Sequence, residues 1–146
     1  TSKYTDTLPD RSSEQFTFPM GCKSLITSPS GQMSLNRQGV YQINGMAWSG
    51  GGSISRVEVS ADGGRSWADA AIESNQSEKA LARFSIPWQW SGGDAILQSR
   101  ATDSLGNVQP TREAILADRG RLSFYHNHCI QSWAVNGNGE VRNTYA

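Results

Sequence analysis

The strongest constraint on how this chain can fold lies in residues 41–72, YQINGMAWSGGGSISRVEVSADGGRSWADAAI. Val57 and Val59 fall on one side of an extended segment, with Arg56, Glu58 and Ser60 on the other, because successive side chains of a strand alternate. Asp62-Gly63-Gly64 then supplies residues that accept the positive φ of a tight turn. Ala68, Ala70 and Ile72 resume the alternation beyond Trp67. The segment therefore predicts a β-hairpin with an indole at its mouth, and Asp62, Gly63, Gly64 and Trp67 are its structural residues.

Residues 60–67 also match S-x-D-x-G-x-[ST]-W at every fixed position. This is the Asp box that recurs in sialidases and other β-propellers. Its chemistry is structural: the carboxylate accepts N–H groups of the turn and the indole packs beneath it. A propeller needs at least four blades of roughly 40–50 residues each. One box in 146 residues excludes that architecture, and the box alone assigns no activity.

Thirteen basic side chains balance thirteen acidic ones, so no net field draws nucleic acid or an anionic membrane. No window approaches the ~20 apolar residues of a membrane span, and no membrane insertion is expected. Fifteen glycines suit many short turns, and five Trp, four Tyr and four Phe can fill a sandwich core. Strand patterns are expected at 15–20, 22–27, 40–48, 80–87 and 94–103, with Trp88 to Gly93 as a turn. Asn136-Gly137-Asn138-Gly139 predicts a closing hairpin with arms 131–135 and 140–144. No window of 11–18 residues carries a 3.6-residue period. Strands separated by turn signals every 8–12 residues or so point to an all-β fold, an immunoglobulin-like β-sandwich of about seven strands. Residues 1–14 are expected to be a connector from an upstream domain, and 15–146 the sandwich. The opening TSKYTDTLPDRSSEQ lacks an initiator Met and an apolar leader, as expected of a processed or excised piece.

His126-Asn127-His128-Cys129 is the one segment with the look of a metal or catalytic site. Two imidazoles and a thiol suit Zn or Cu. Neighbours in an extended segment point to alternating faces, however, and Cys22 would have to fold back as a fourth ligand. A polar loop is the plainer reading, and no metal site is assigned. A Cys22–Cys129 disulfide is only weakly supported by two cysteines so far apart. No G-x-S-x-G elbow supports a hydrolytic triad. Paired carboxylates for glycoside chemistry stay open from sequence, although Asp62, Asp69, Glu73, Asp94 and Asp103 sit at turns or strand ends, where they usually cap and solubilise. Trp88 and Trp90 could stack on a sugar, although core packing suits them better. Arg100 faces away from Ser99 and Ala101, placed either to pair with a carboxylate across the sheet or to dock on another domain.

Gly45-x-Ala47-Trp48-Ser49-Gly50, the Arg56–Trp67 run R-V-E-V-S-x-D-G-G-x-[ST]-W, and Arg100-Ala101-x-Asp103 followed by Asn107-Val108-Gln109-Pro110 occur in a distinctive order. Across residues 15–135 the chain resembles the C-terminal dimerisation domain of the sulfite oxidase family of molybdenum oxidoreductases. KSLITSPSG, LQSRATD, QPTR and YHNHCIQSW bring it nearest the bacterial sulfane dehydrogenase and sulfite dehydrogenase branch. The resemblance implies an upstream molybdopterin domain, a homodimer, a c-type cytochrome electron acceptor and a periplasmic location. It implies molybdopterin-bound molybdenum in the intact enzyme but no cofactor, catalytic or metal-binding residue in this chain, and no turnover by the chain alone. Neither Cys22 nor Cys129 matches the molybdenum-ligating cysteine. Relatives carry W-x-R-V near the end of the domain, with an arginine beside the anionic substrate. Here Trp133-Ala134-Val135 has no arginine in register, and the expectation is that His126, His128 and Cys129 form a loop facing the active site. The rival from another class is a stand-alone immunoglobulin-like module that binds carbohydrate or protein.

Overall fold

The computed structural model describes residues 5–8, 10–15, 19–73, 77–121 and 125–145. In chain order its elements are β1 (Thr5–Thr7), β2 (Ser13–Gln15), β3 (Lys23–Ser28), β4 (Gly39–Trp48), β5 (Ile54–Ser60) and β6 (Ala68–Asp69). Next come β7 (Ala71–Ile72), β8 (Ala82–Trp90), β9 (Ala95–Asp103), α1 (Arg112–Arg119), β10 (Ser132–Val135) and β11 (Val141–Thr144). A five-stranded sheet, β11-β10-β9-β5-β6, faces a four-stranded sheet, β3-β4-β8-β7. All strand pairs in both sheets are antiparallel. The immunoglobulin-like sandwich read from the sequence is therefore the fold. Ahead of it, β1 and β2 form a separate hairpin within the stretch expected to be a connector. The strand expected at 15–20 lies partly outside the described residues.

Alternation builds the core as the sequence implies. Ile43 and Ala47 of β4, Val57 of β5, and Leu97 and Ala101 of β9 are buried between the sheets. Each large aliphatic placed there stabilises the fold by about 1.5–3 kcal/mol relative to exposure. The closing hairpin forms around Asn136 to Gly139, with Val135 opposite Val141.

Three local expectations are corrected. First, residues 68–72 are not one hairpin arm. Ala68 pairs with Val59 in the five-stranded sheet, whereas Ile72 pairs with Phe84 in the other. Ala70 still donates its N–H to Val57 O at 2.9 Å, so the chain changes sheets within a single residue. Second, Trp88 to Trp90 continue β8 rather than turning, because Tyr41 and Gly39 of β4 offer partners. The turn begins at Ser91. Third, α1 interrupts the all-β pattern. Its eight residues are shorter than the window in which a helical period shows. Thr111 caps it by accepting Ala114 N–H at 3.1 Å, and Gly120 ends it at φ 79.

One edge of the sandwich needs a special closure. β10 pairs with β9 only over Ala95 to Gln98, which leaves the rest of β9 without that neighbour. Residues 108–109 run alongside instead, with Val108 bridged to Thr102 and Gln109 N–H donating to Ala101 O at 2.9 Å. The Gln109 side chain then spans the gap to β3. Its Oε1 accepts the N–H groups of Ser24 at 2.9 Å and Ala101 at 3.2 Å. Its Nε2 donates to Ser24 O at 3.3 Å and Cys129 O at 3.2 Å. Gln109 is 2% exposed, so each of these backbone groups would be stranded without it. Gln109→Leu, which keeps the bulk and removes the hydrogen bonds, is expected to cost about 3 kcal/mol. Urea unfolding measures this, and a loss below about 1 kcal/mol would contradict the closure described.

Candidate functional site

The 60–67 turn is held by its own side chains. Asp62 Oδ1 accepts N–H groups from Arg65 at 3.0 Å and Ser66 at 2.9 Å, and the Ser60 hydroxyl at 2.8 Å. Its Oδ2 accepts the Ser66 hydroxyl. With Ser66 the largest contributor, these donors hold the Asp62 carboxyl well below the usual carboxylate range. Gly63 and Gly64 take φ of 74° and 87°, and the Trp67 indole donates to Gly64 O at 3.0 Å. Arg100 lies over the Trp67 ring at 4.3 Å and ion-pairs with Glu58, its direct cross-strand neighbour, at 2.9 Å. The cross-sheet pairing expected for Arg100 is present, and the Asp-box turn is a strut.

A second carboxylate does similar work at the far end of the sandwich. Asp103 is 2% exposed. Its Oδ1 accepts N–H groups of Leu105 at 3.0 Å and Asn107 at 2.9 Å, and its Oδ2 accepts the Ser49 hydroxyl at 2.8 Å and Asn107 Nδ2 at 3.1 Å. Burial opposes its ionisation, but the donors from Asn107, Ser49 and Leu105 outweigh it and the pKa is lowered. Asp69 pairs with Arg56 at 2.6 Å and Asp94 accepts Gly137 N–H at 2.7 Å. Asp62, Asp69, Asp94 and Asp103 thus serve turns and ion pairs. Trp90 is 4% exposed and Trp88 packs against the core, so they make no sugar-stacking platform.

The 125–129 loop lies beside the Gln109 closure. The buried Arg119, last residue of α1, donates to Tyr125 O at 2.6 Å and His126 O at 3.3 Å. Lys23 of β3 donates to Asn127 O at 2.6 Å. Two cations from different elements therefore hold three consecutive carbonyls. His126 takes φ 50 and its ring stacks on Tyr125 at 4.3 Å. The His128 ring lies against Gly21, where a Cβ would come within 2.7 Å of it, and its Nδ1 sits 3.1 Å from His126 O. Cys129 is 2% exposed, and its N–H donates to Asn127 Oδ1 at 3.1 Å. His126, His128 and Cys129 are thus neighbours in one pinned loop. Among the described residues no three His, Cys, Asp or Glu side chains gather into a metal-holding group. Nearby, a cleft of about 530 Å³ opens between Trp67, Gln98 and Arg100 on one side and Pro110, Arg112 and Ile130 on the other. Its two guanidiniums are already engaged, Arg100 by Glu58 and Arg112 over the Tyr145 ring at 4.7 Å.

Comparison with known proteins decides the family. The profile described as the Mo-co oxidoreductase dimerisation domain matches residues 14–133. The chain belongs to that family. Its whole length superposes on the crystal structure of the sulfane dehydrogenase SoxCD from Paracoccus pantotrophus, with a TM-score of 0.95 and 48% identity, covering 38% of that chain. It is 31% identical over 121 residues to a sulfite oxidase of Arabidopsis thaliana, covering 75% of this chain and 30% of the relative. It is 37% identical over 93 residues to a sulfite oxidase of Gallus gallus, covering 58% of this chain and 20% of the relative. The chain thus spans less than two fifths of the proteins it matches.

The structure gives the motifs of this dimerisation domain physical jobs. Ser49 and Asp103 join two of them, Asp62 and Trp67 hold the third, and Gln109 closes the edge. Cys22 and Cys129 are both buried free thiols; burial, with Asp103 nearby, pushes Cys22 up to about 12, and burial also raises Cys129. Trp133 donates its indole N–H across the sandwich to Ile26 O at 3.0 Å, so this end of β10 is structural. Sequence reasoning assigned no role to Lys23, Arg119 or Gln109, although Gln109 lies in the Asn107–Pro110 motif and Arg119 is a basic residue just before a helix-ending glycine.

Burial, assisted by Arg119 and Lys23, holds His128 below the ordinary imidazole range. As pH falls below about 6.5, the unfolded chain therefore takes up this proton before the folded one. Stability should fall with acidification from that value down to the folded pKa. His128→Gln should show a smaller difference in urea midpoint between about pH 7.5 and pH 5.5 than the parent. An unchanged difference would contradict the buried neutral imidazole.

Proposed function

We propose that this chain is the assembly module of a molybdenum-dependent enzyme that oxidises reduced sulfur. The observation that supports this most is the full-length likeness to SoxCD at 48% identity, together with a family described by dimerisation. In this reading the molybdenum and its pterin are held by residues outside the chain, consistent with the buried, protonated thiols within it. The substrate is a sulfite- or sulfane-type sulfur, which loses two electrons and gains oxygen from water. A c-type cytochrome accepts the electrons, the enzyme is a homodimer, and it works in the periplasm.

The proposed share of this chain in the chemistry is the 125–129 loop. Arg119 and Lys23 hold its carbonyls, leaving the half-exposed His126 and Tyr125 rings to border the substrate pocket in place of the family arginine. The full-length, molybdenum-loaded protein should reduce cytochrome c in the presence of a reduced sulfur compound. His126→Ala should raise KM for that compound about tenfold while changing kcat less. Cytochrome reduction that is independent of sulfur would defeat the proposed activity. Unchanged KM and kcat in the variant would remove the loop from the site but leave the activity standing.

A further inference from the structure

The His128 ring is seated where it fits as a neutral group and not as a charged one. Its Nδ1 sits 3.1 Å from His126 O, a separation that suits Nδ1–H donating to that carbonyl. The second proton of an imidazolium must then go on Nε2. That edge of the ring lies against Gly21, where a Cβ would come within 2.7 Å of Nε2. Among the described residues Nε2 meets no acceptor, and a charged donor held against a glycine without one is costly. The ring is half-buried, so a small outward movement of the loop is enough to bring Nε2 into water.

The surroundings add charge of the same sign. Lys23 of β3 donates to Asn127 O, and Arg119 of α1 donates to Tyr125 O and His126 O. His126 itself stands two residues away in the same loop. These are the charged or titratable groups that bear on the ring, and each disfavours its protonation. Cys22, beside Gly21, belongs to the core near Asp103, and Arg112 at the start of α1 bears on Cys129 instead. A proton on His128 therefore gathers like charges around the carbonyls that hold the loop down. His126, at φ 50, keeps a left-handed turn that few non-glycine residues adopt, and those carbonyl ties help to hold it.

We infer that the 125–129 loop is a proton-sensitive latch, in which protonation of His128 lifts its ring off Gly21 and loosens the Lys23 and Arg119 ties. The latch goes beyond the activity proposed above and stands whether or not the loop borders a substrate. A lifted ring titrates near the ordinary ~6.5, and the docked ring only at lower pH. As pH falls through ~6.5, proton uptake therefore favours the lifted form, whereas at higher pH the docked form keeps its full advantage. One proton shifts such a balance by at most about tenfold per pH unit, so the latch tunes how often the loop opens.

Residue-resolved hydrogen exchange on the full-length protein with its cofactor tests this. The Cys129 amide, bonded to Asn127 Oδ1 at 3.1 Å within the loop, should lose protection about tenfold between about pH 7.5 and pH 5.5, after the intrinsic pH dependence of exchange is divided out. The Ser66 amide, held by Asp62 Oδ1 at 2.9 Å, should keep its protection, because that carboxylate stays charged throughout. His128→Asn supplies an N–H in place of Nδ1 but does not titrate, and should abolish the change at Cys129. Gly21→Ala puts a Cβ where the ring sits. It should speed Cys129 exchange at about pH 7.5 and flatten its pH dependence, which tests the latch even if the His128 variant fails to fold. Equal protection of Cys129 at both pH values, or an undiminished change in the His128→Asn protein, would overturn the latch. So would a loss at Ser66 as large as at Cys129, since the opening would then not be confined to the loop.

Discussion

The Gln109 side chain sits where the sandwich would otherwise come apart. β10 covers only part of β9, and β3 forms the facing edge of the other sheet. Between them lie backbone groups buried from water, and a single amide satisfies both signs at once. It accepts from Ser24 and Ala101 and donates to Ser24 and Cys129. An apolar residue would fill the same space but leave those groups unpaired, and unpaired buried polar groups are among the costliest defects in a small domain. The neighbouring Ser24 and Ser99 hydroxyls, 2.8 Å apart, extend the same polar seam.

The next stretch of chain depends on that seam. The 108–109 segment that carries Gln109 leads directly into α1, whose last residue, Arg119, fixes the carbonyls of the 125–129 loop. Cys129 is reached from the other side by Gln109 Nε2. The loop is therefore positioned by a helix, a strand and the edge closure together. A loop held from three directions can present His126 at a defined place, which a freely moving one could not.

Much of this was legible in the sequence because alternation and turn chemistry are local signals. The Asp62 turn, the Arg100–Glu58 pair and the hairpin at Asn136 to Gly139 each arise from residues within a short stretch or from a simple face rule. The resemblance to the molybdenum oxidoreductase dimerisation domain was legible too, because the motif residues are those with fixed structural jobs. The features that stayed hidden depend on distant partners. Nothing near Ala70 marks the change of sheets, since the free edge of β8 that receives Ile72 is contributed by residues further along. The helix escaped because eight residues with few buried positions carry little period. Gln109 stood in a legible motif, but its role and that of Lys23 show only when β3 and the 125–129 loop are brought together.

The two thiols of this chain are buried and its turn carboxylates are engaged in turns, so these groups hold the sandwich together around the Gln109 seam. The claim on which the rest stands is that the Gln109 seam belongs to the most stable part of the fold. Native-state hydrogen exchange reads this directly at the Ser24 and Ala101 amides, which both donate to Gln109 Oε1. The account predicts that they exchange as slowly as the β4–β8 amides, through global unfolding. Exchange as fast as that of the 125–129 amides would contradict it.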